Sequence, residues 1–208
     1  AGLCTLVFGA FIAIFQHDLK GLLAYSTISH LGLITVLLGL GSPLALVAAV
    51  FHVMNHATFK ASLFMSAGII DHETGTRDMR RLGGLYRFMP ITATLATVAA
   101  AAMAGVPLLN GFLSKEMFFS ESLVAEVGVP AVQRLLPFVA TAWGALSVAY
   151  SLRLIHQVFF GPPPAGLEKV PHEPPRWMRF PIELLVLACL MVGILPAYTV
   201  APILDVAV

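Results

Sequence analysis

Residues 44–70 read LALVAAVFHVMNHATFKASLFMSAGII, and this stretch decides how the rest of the chain must fold. It is apolar and long enough to cross a membrane as one helix, since about 20 apolar residues span the hydrocarbon core. Three ionisable residues nevertheless lie inside it at intervals of four: His52, His56 and Lys60. Four residues are close to one helical turn, so the three share one helix face. A charged side chain at this depth costs roughly 2.5–3.5 kcal/mol on insertion scales, so that face must contact polar partners or water.

The whole chain has the composition of a membrane protein. Of its 208 residues, 58% are hydrophobic and 11% are charged, against about a quarter charged in soluble domains. The net charge of +1 does not favour nucleic-acid binding. Cys4 and Cys189 lie in apolar runs, which indicates buried thiols; without a CxxC pair or Cys/His spacing we expect no metal site and no cofactor. The first 15 residues lack the features of a signal peptide, and we expect a chain that is part of a longer one.

The apolar segments predict an all-α, polytopic transmembrane helix bundle that forms a single domain of about six spans. The expected spans cover residues 1–15, 21–40, 43–70, 90–123, 131–160 and 181–200. The fourth is too long for one straight crossing and contains GVPLLNG at 105–111. Pro107 removes a backbone donor, and Asn110 and Gly111 favour a break. We therefore predict two half-helices joined by an irregular stretch at membrane depth.

Basic residues predict the orientation of the bundle. The turn at 16–20 and the loops at 71–89 and 161–180 fall on one side of the membrane, here called side A. Side A carries Lys20, Arg77, Arg80, Arg81, Arg87, Lys169, Arg176 and Arg179. Arg134 is the exception on the opposite side, side B. Because basic loops stay in the cytoplasm, both long loops are predicted to be cytoplasmic. A re-entrant fourth segment would reverse the last two spans.

Further ionisable residues lie at membrane depth. His30 is near the middle of the second span, and Lys115 with Glu116 follows the break. Burial favours the neutral form of a lysine and histidine titrates near neutrality, so a water-linked row of such groups can relay protons. The alternative for the histidines is helix packing through hydrogen bonds, and for Lys115 a flanking charge. Packing does not require the buried ammonium of Lys60.

Other polar residues fit simpler interpretations. His52 and His56 have the spacing of metal ligands, but no HExxH glutamate or third ligand accompanies them. Lys20 lies at the membrane interface, where a flanking charge is common, and His72 and Glu73 are expected to be solvated loop charges. The candidate relay residues are Lys60, Lys115, His52, His56, His30, Glu116 and Lys20.

Three runs of sequence resemble a known family. They are DLKGLLAYSTISHLG at 18–32, FHVMNHATFKASLFMSAGIIDHETGTRDMRRLGGL at 51–85, and MPITATLATVAAAAMAGVPLLNGFLSKEMFF at 89–119. Together they resemble the antiporter-like subunits shared by respiratory complex I and the Mrp-type Na+/H+ antiporters. DHETGTRD and GFLSKEMFF are most similar to the A subunit of the Mrp antiporters.

The resemblance implies a fold of two inverted five-helix repeats, each with a broken helix, of which this chain is the second repeat plus one helix. It implies that Lys60 is the central relay lysine and Lys115 the terminal one. His52 and His56 match the family's histidines on the helix of the central lysine, whereas His30 stands where some relatives carry Gln. The first repeat would lie outside this chain, so the fragment is not expected to transport ions alone.

The function implied is that of a component of a secondary transporter rather than an enzyme. Protons would move from Lys60 through His52 and His56 to Lys115 and exchange for Na+. The partners would be the lipid bilayer and other subunits of an antiporter complex, in a bacterial-type cytoplasmic membrane.

Two alternatives remain at this point. One is the proton-pumping arm of complex I or of a membrane-bound hydrogenase. The chain has no iron-sulfur cysteines and no dinucleotide fingerprint, so partners would supply the electrons. The other is a non-conducting scaffold whose polar residues join helices. A dry, fully hydrogen-bonded environment of His52 and Lys60 would favour the scaffold.

Overall fold

The computed structural model describes residues 1–125, 128–167 and 169–204. Their regular structure is helical: α1 Gly2–Phe15, α2 Leu19–Leu40, α3 Pro43–Thr74, α4 Pro90–Ala104, α5 Asn110–Val124, α6 Pro130–Phe159, α7 Arg176–Ile194, α8 Pro196–Thr199 and α9 Ala201–Leu204. Among these, α2, α3, α6 and α7 are long and apolar enough to cross a membrane, and α1 and α4 are shorter apolar helices. The all-α transmembrane bundle with a broken helix confirms the predicted fold class.

The long helix α3 lies at the centre of the bundle. It packs against α2, α4, α5 and α7, while α6 packs against α1, α4 and α5. Large apolar side chains on the outside are exposed, as lipid-facing residues are, whereas many polar side chains are buried between the helices. The cysteine prediction was half right: Cys189 is buried, but Cys4 is exposed.

The C-terminal end of α3 extends beyond the apolar run that predicts it. The helix continues to Thr74 and ends where Gly75 adopts a left-handed φ of 73°, so residues 71–74 are helical rather than loop. Asp71 pairs with Lys20 of α2 at 2.9 Å. Glu73 is only 3% exposed, and the expectation that it is solvated was wrong. The helix continues because its polar residues find partners in neighbouring segments.

The proline-rich linker is shorter than predicted and is fastened to the helix ends. Helix α7 begins at Arg176 instead of residue 181, with Pro181 inside it. His172 lies 3.1 Å from the carboxylate of Glu73. Glu173 accepts hydrogen bonds from the backbone N–H groups of residues 91 and 92, at 2.9 and 3.0 Å. It thus caps the N-terminus of α4, where a carboxylate is favoured.

The loop between α3 and α4 is also ordered by local pairs. The Arg80 guanidinium donates hydrogen bonds to Asp78 and lowers the pKa of that carboxyl to about 2. The pair therefore stays ionised across the physiological range. Arg81 donates to the carbonyl of Gly166, and its own carbonyl accepts from Ala165, so this loop and the linker lie against each other.

Helices α1 and α2 approach closely because glycine lies at their contact. A Cβ added at Gly32 would lie 2.7 Å from the Cα of Leu6. Ser29 also donates a hydrogen bond to the Leu6 carbonyl at 2.7 Å. Small residues at such crossings allow backbones to meet, which supports helix association in a membrane.

We expect Gly32→Ala to lower the thermal unfolding midpoint of the full-length protein in detergent by several degrees. The added methyl forces α1 away from α2, and overpacking of this kind costs about 1–3 kcal/mol. Gly39→Ala is the matched control, since the same helix has open space around Gly39. Both changes raise helix propensity by about 1 kcal/mol, so the control should melt at or above the wild-type temperature. Equal midpoints for the two variants would contradict the close-packing argument.

Candidate functional site

The break between α4 and α5 positions Lys115. Helix α4 ends at Ala104, and Gly105 follows with a left-handed φ of 89°. A Cβ at Gly105 would lie 2.9 Å from the Cδ of Lys115, so glycine is required there for both the turn and the lysine stem. Lys115 Nζ donates to the carbonyl of Ala104 at 3.1 Å. It thereby satisfies one of the unpaired carbonyls at the end of a half-helix, where a cation is favoured.

Lys115 and its neighbour Glu116 have different environments. Lys115 is 4% exposed, and its Nζ lies 4.7 Å from the ring centroid of Trp143, a cation–π contact. Glu116 is exposed, since adjacent helix positions point about 100° apart. Both line a cavity of about 620 Å³ between α5 and α6.

Lys115 is one end of an uninterrupted series of buried hydrogen bonds. Its Nζ donates to Ser147 Oγ at 2.7 Å, and Ser147 Oγ lies 3.1 Å from the hydroxyl of Tyr150. The Tyr150 hydroxyl lies 3.1 Å from His30 Nε2. His30 Nδ1 lies 3.0 Å from His52 Nε2, and His52 Nδ1 lies 2.9 Å from Ser114 Oγ. We call these residues the central chain: Lys115, Ser147, Tyr150, His30, His52 and Ser114.

Four helices build the central chain, and each member is at most 4% exposed. His30 comes from α2 and His52 from α3, while Ser147 and Tyr150 are one turn apart on α6. Trp143, also on α6, donates to Ser29 Oγ at 2.8 Å and so ties α6 to α2 beside the chain. Buried polar groups of this kind are stable only when paired, which the chain achieves for all its members.

The hydrogens of the central chain can all point towards Ser147. If Tyr150 donates to Ser147, the Tyr150 oxygen accepts from His30 Nε2–H. A neutral imidazole carries one N–H, so His30 Nδ1 then accepts from His52. His52 in turn accepts from Ser114. The Ser147 hydroxyl finds its own acceptor in the Met103 carbonyl at 3.4 Å.

The opposite arrangement is equally complete. Ser147 donates to Tyr150, Tyr150 to His30, His30 to His52, and His52 to Ser114, whose hydroxyl reaches the Gly111 carbonyl at 3.4 Å. As an ammonium, Lys115 donates to Ser147 Oγ in both arrangements. As a neutral amine it can instead accept a proton from the Ser147 hydroxyl. One proton passing from end to end converts the first into the second. The geometry therefore has the property that proton conduction along hydrogen bonds requires.

Lys60 lies in a separate cluster near this chain. Its Nζ donates to the Leu23 carbonyl at 3.1 Å and to Ser26 Oγ. His56, one turn before Lys60 on α3, has its ring centroid 5.3 Å from that of His30. Its Nε2 is buried and has no hydrogen-bond partner among the described residues. His56 therefore lies beside the central chain without being bonded to it.

The structure arranges the predicted site residues in three groups. It brings Lys115, His30 and His52 into one chain, and places Lys60 and His56 next to it. Lys20 is farther out, in a partly exposed pair with Asp71. Glu116 is exposed on the cavity that Lys115 also lines and is not part of the central chain. Among the described residues, no group of three His, Cys, Asp or Glu is suited to a metal ion.

Sequence reasoning missed Ser147 and Tyr150, which link His30 to Lys115. The sequence does contain a pattern that could have indicated them. Ser147 and Tyr150 lie three residues apart in the apolar sequence of α6, and such positions are neighbours on one helix face. Ser114, next to Lys115, was missed as well. Serine alone is too common in membrane helices to be singled out by type.

Comparison with known proteins identifies the family. A family model described as NADH:quinone oxidoreductase/Mrp antiporter, transmembrane, matches residues 1–137. The chain belongs to this family. The A/B subunit of a probable K(+)/H(+) antiporter of Rhizobium meliloti is 72% identical over all 208 residues. The A subunit of a Na(+)/H(+) antiporter of Bacillus subtilis is 47% identical over 201 residues, 89% of this chain.

A solved member of the family has the same fold. A chain of the Mrp complex from Dietzia sp. covers 100% of this chain with a TM-score of 0.84 and 39% identity. This chain spans 22% of that chain, and 21% and 25% of the Rhizobium and Bacillus relatives. These similarities confirm the predicted resemblance to the A subunit of the Mrp antiporters and to its multi-pass membrane fold.

Proposed function

We propose that this chain is a proton-conducting part of a membrane protein complex that exchanges a monovalent cation for protons. The central chain carries this proposal, because it connects Lys115 to His52 without a gap and has two complete hydrogen-bond directions. Sodium is the cation that the resemblance to the Na+/H+ antiporters implies, and the Rhizobium relative is named for potassium. Exchange should therefore be assayed with both ions.

The proposed route begins at Lys60. Ser26, its partner, lies one turn from His30 on α2, and His56 lies beside both groups. The unpaired Nε2 of His56 is a buried acceptor or donor that a water molecule would satisfy. A water bound there would extend the Lys60 cluster towards His30. Both ring nitrogens of His30 are already bonded, so a proton enters the central chain only when His30 exchanges one of these bonds for the water, and it then follows the chain to Lys115. His52 and Ser114 form the other branch.

The proposal places this chain in a multisubunit assembly. The loop that follows α3 and the linker that precedes α7 are assigned to the cytoplasmic face of a bacterial cytoplasmic membrane by the basic residues in and beside them. Further antiporter subunits and the lipid bilayer are its partners. The relatives named above are antiporter subunits, which supports cation exchange rather than a redox-driven pump, and a transporter rather than an enzyme.

The competing function is a scaffold. The hydrogen bonds of His52 and Lys60 meet one expectation of a scaffold, since paired groups can also serve to join helices. The two functions differ in what they require of Tyr150. A scaffold needs its ring, which fills the core. A proton route needs its hydroxyl, which joins His30 to Ser147.

We expect Tyr150→Phe to lower cation-driven proton exchange at least about tenfold, because the route loses the hydroxyl that joins the His30 imidazole to Ser147; tenfold corresponds to about 1.4 kcal/mol. The ring volume is kept, so assembly of the complex should not change. The measurement uses everted vesicles that contain the full-length protein in its complex. A dye reports collapse of an imposed pH gradient after addition of NaCl or KCl.

Tyr86→Phe is the control, because Tyr86 is 46% exposed and lies outside the membrane helices. Its exchange should equal that of wild type. Full exchange by a correctly assembled Tyr150→Phe complex would favour the scaffold and contradict the proposed route.

A further inference from the structure

We propose that Glu121 is a second proton-binding site, at the side B end of the route, and that Phe118 forms an apolar barrier between it and the central chain. The inference deepens the proposed function and rests on it. Nothing in the sequence pattern singled out either residue.

Glu121 is a buried carboxylate whose partner is a hydroxyl rather than a cation. It lies in the last turn of α5 and is 5% exposed. Ser42 Oγ donates to its Oε2 at 2.5 Å. Within the described residues, none of the salt bridges includes Glu121. A buried acid with no counter-charge among the described residues is a candidate proton site.

The hydroxyl of Ser42 is oriented by its place in the fold. Ser42 is the N-cap of α3, and its Oγ accepts a hydrogen bond from the backbone N–H of Ala45 at 2.9 Å. The hydroxyl hydrogen is thus free to point at Glu121. Ser42 therefore holds the Glu121 carboxylate through a hydroxyl that the start of α3 fixes in place.

Two cavities meet at Glu121 and connect it with the outside of the bundle. One, of about 550 Å³, lies between the α2–α3 turn and the end of α5 and includes Gly41 and Ser42. The other, of about 420 Å³, is lined by Glu116 and Ser120 as well as Glu121. Water in the cavity beside the α2–α3 turn would reach the carboxylate from side B.

Glu121 is also aligned with the end of the central chain. It follows Ser114 by seven residues on α5, which brings the two side chains to within about 20° of the same direction and about 10.5 Å apart along the axis. Ser114 bonds His52 of α3, and Glu121 bonds Ser42 at the start of α3. The contact between α3 and α5 therefore has the His52–Ser114 pair towards the centre of the bundle and the Ser42–Glu121 pair at the side B end.

The section between the two polar pairs is apolar. It contains Phe118 of α5. It also contains Ala45 and Ala48, which lie on the same face of α3 as His52. All three of these apolar side chains are 0% exposed. The Phe118 ring packs edge-on against Trp143, with centroids 5.7 Å apart. Trp143 in turn contacts Lys115. Protons can cross this section only when water enters it or the Phe118 ring moves, and Trp143 connects that ring to the charge of Lys115.

Glu121→Gln, in the full-length protein within its complex, tests the proton site. We expect exchange in everted vesicles to fall at least about tenfold, while Glu121→Asp, which keeps the carboxylate, retains part of it. Glu183→Gln on α7 is the matched control and should exchange normally. Normal exchange by an assembled Glu121→Gln complex overturns the inference. If Tyr150→Phe is still impaired in that case, the proposed function stands without it.

Phe118→Ala tests the barrier independently. Removing the ring opens space between Ser114 and Glu121, and we expect an imposed pH gradient to decay several-fold faster in the absence of Na+ and K+. Phe11→Ala, a change of the same size at an exposed position of α1, should leave the decay unchanged. A decay rate equal to wild type in Phe118→Ala contradicts the barrier.

Discussion

Lys115→Gln is expected to abolish cation-driven proton exchange, with a loss of at least about 100-fold, or about 2.7 kcal/mol. The ammonium is the proton donor at the end of the central chain, where it bonds Ser147 and the Ala104 carbonyl. Glutamine preserves a hydrogen-bond donor but cannot carry a transferable proton. The complex should assemble, since the side chain lines a cavity that accommodates the change.

The Lys115→Arg variant distinguishes two roles of Lys115, that of a proton relay and that of a fixed structural charge. Arginine keeps the positive charge and can donate to the same acceptors, but it does not release its proton in proteins. A structural cation at the helix break would be replaced successfully by arginine, whereas a relay would not. We therefore expect Lys115→Arg to assemble and still fail to exchange. Lys169→Gln, in the exposed linker, is the control for loss of a lysine. Exchange by either assembled Lys115 variant at the wild-type rate would refute the relay.

Lys60→Gln is expected to cause a loss of similar size, at least about 100-fold. Lys60 is the buried cation between the Lys20–Asp71 pair near side A and the histidines at the centre of the bundle. A glutamine amide can still donate to the Leu23 carbonyl and Ser26, so α2 and α3 should remain packed. What the glutamine side chain lacks is a proton that it can transfer.

A double variant shows whether Lys60 and Phe118 lie on one route. If Phe118→Ala opens a leak to side B, protons must still pass Lys60 to reach it. We expect Lys60→Gln to suppress the leak of Phe118→Ala, measured as decay of an imposed pH gradient. If the pH gradient decays as fast in the double variant as in Phe118→Ala, Lys60 lies outside the route, even if Lys60→Gln alone impairs exchange.

The sequence by itself determined the properties that depend on local pattern. Hydrophobic length indicated membrane helices, and Pro107 with Gly111 indicated the break that the structure shows between residues 105 and 109. The four-residue spacing placed His52, His56 and Lys60 on one face of α3. Each of these follows from the geometry of a single helix, which neighbouring segments do not alter.

The tertiary structure alone decided which of these groups meet. It bonded His52 to His30 rather than to His56, and linked His30 to Lys115 through Tyr150, 120 residues away in sequence. It also buried Glu73, which was expected to be a solvated loop charge, and Glu121, which no sequence pattern had singled out. A hydrogen bond depends on the distance between two atoms, and that distance is set by how α2, α3, α5 and α6 pack rather than by the spacing within any one of them.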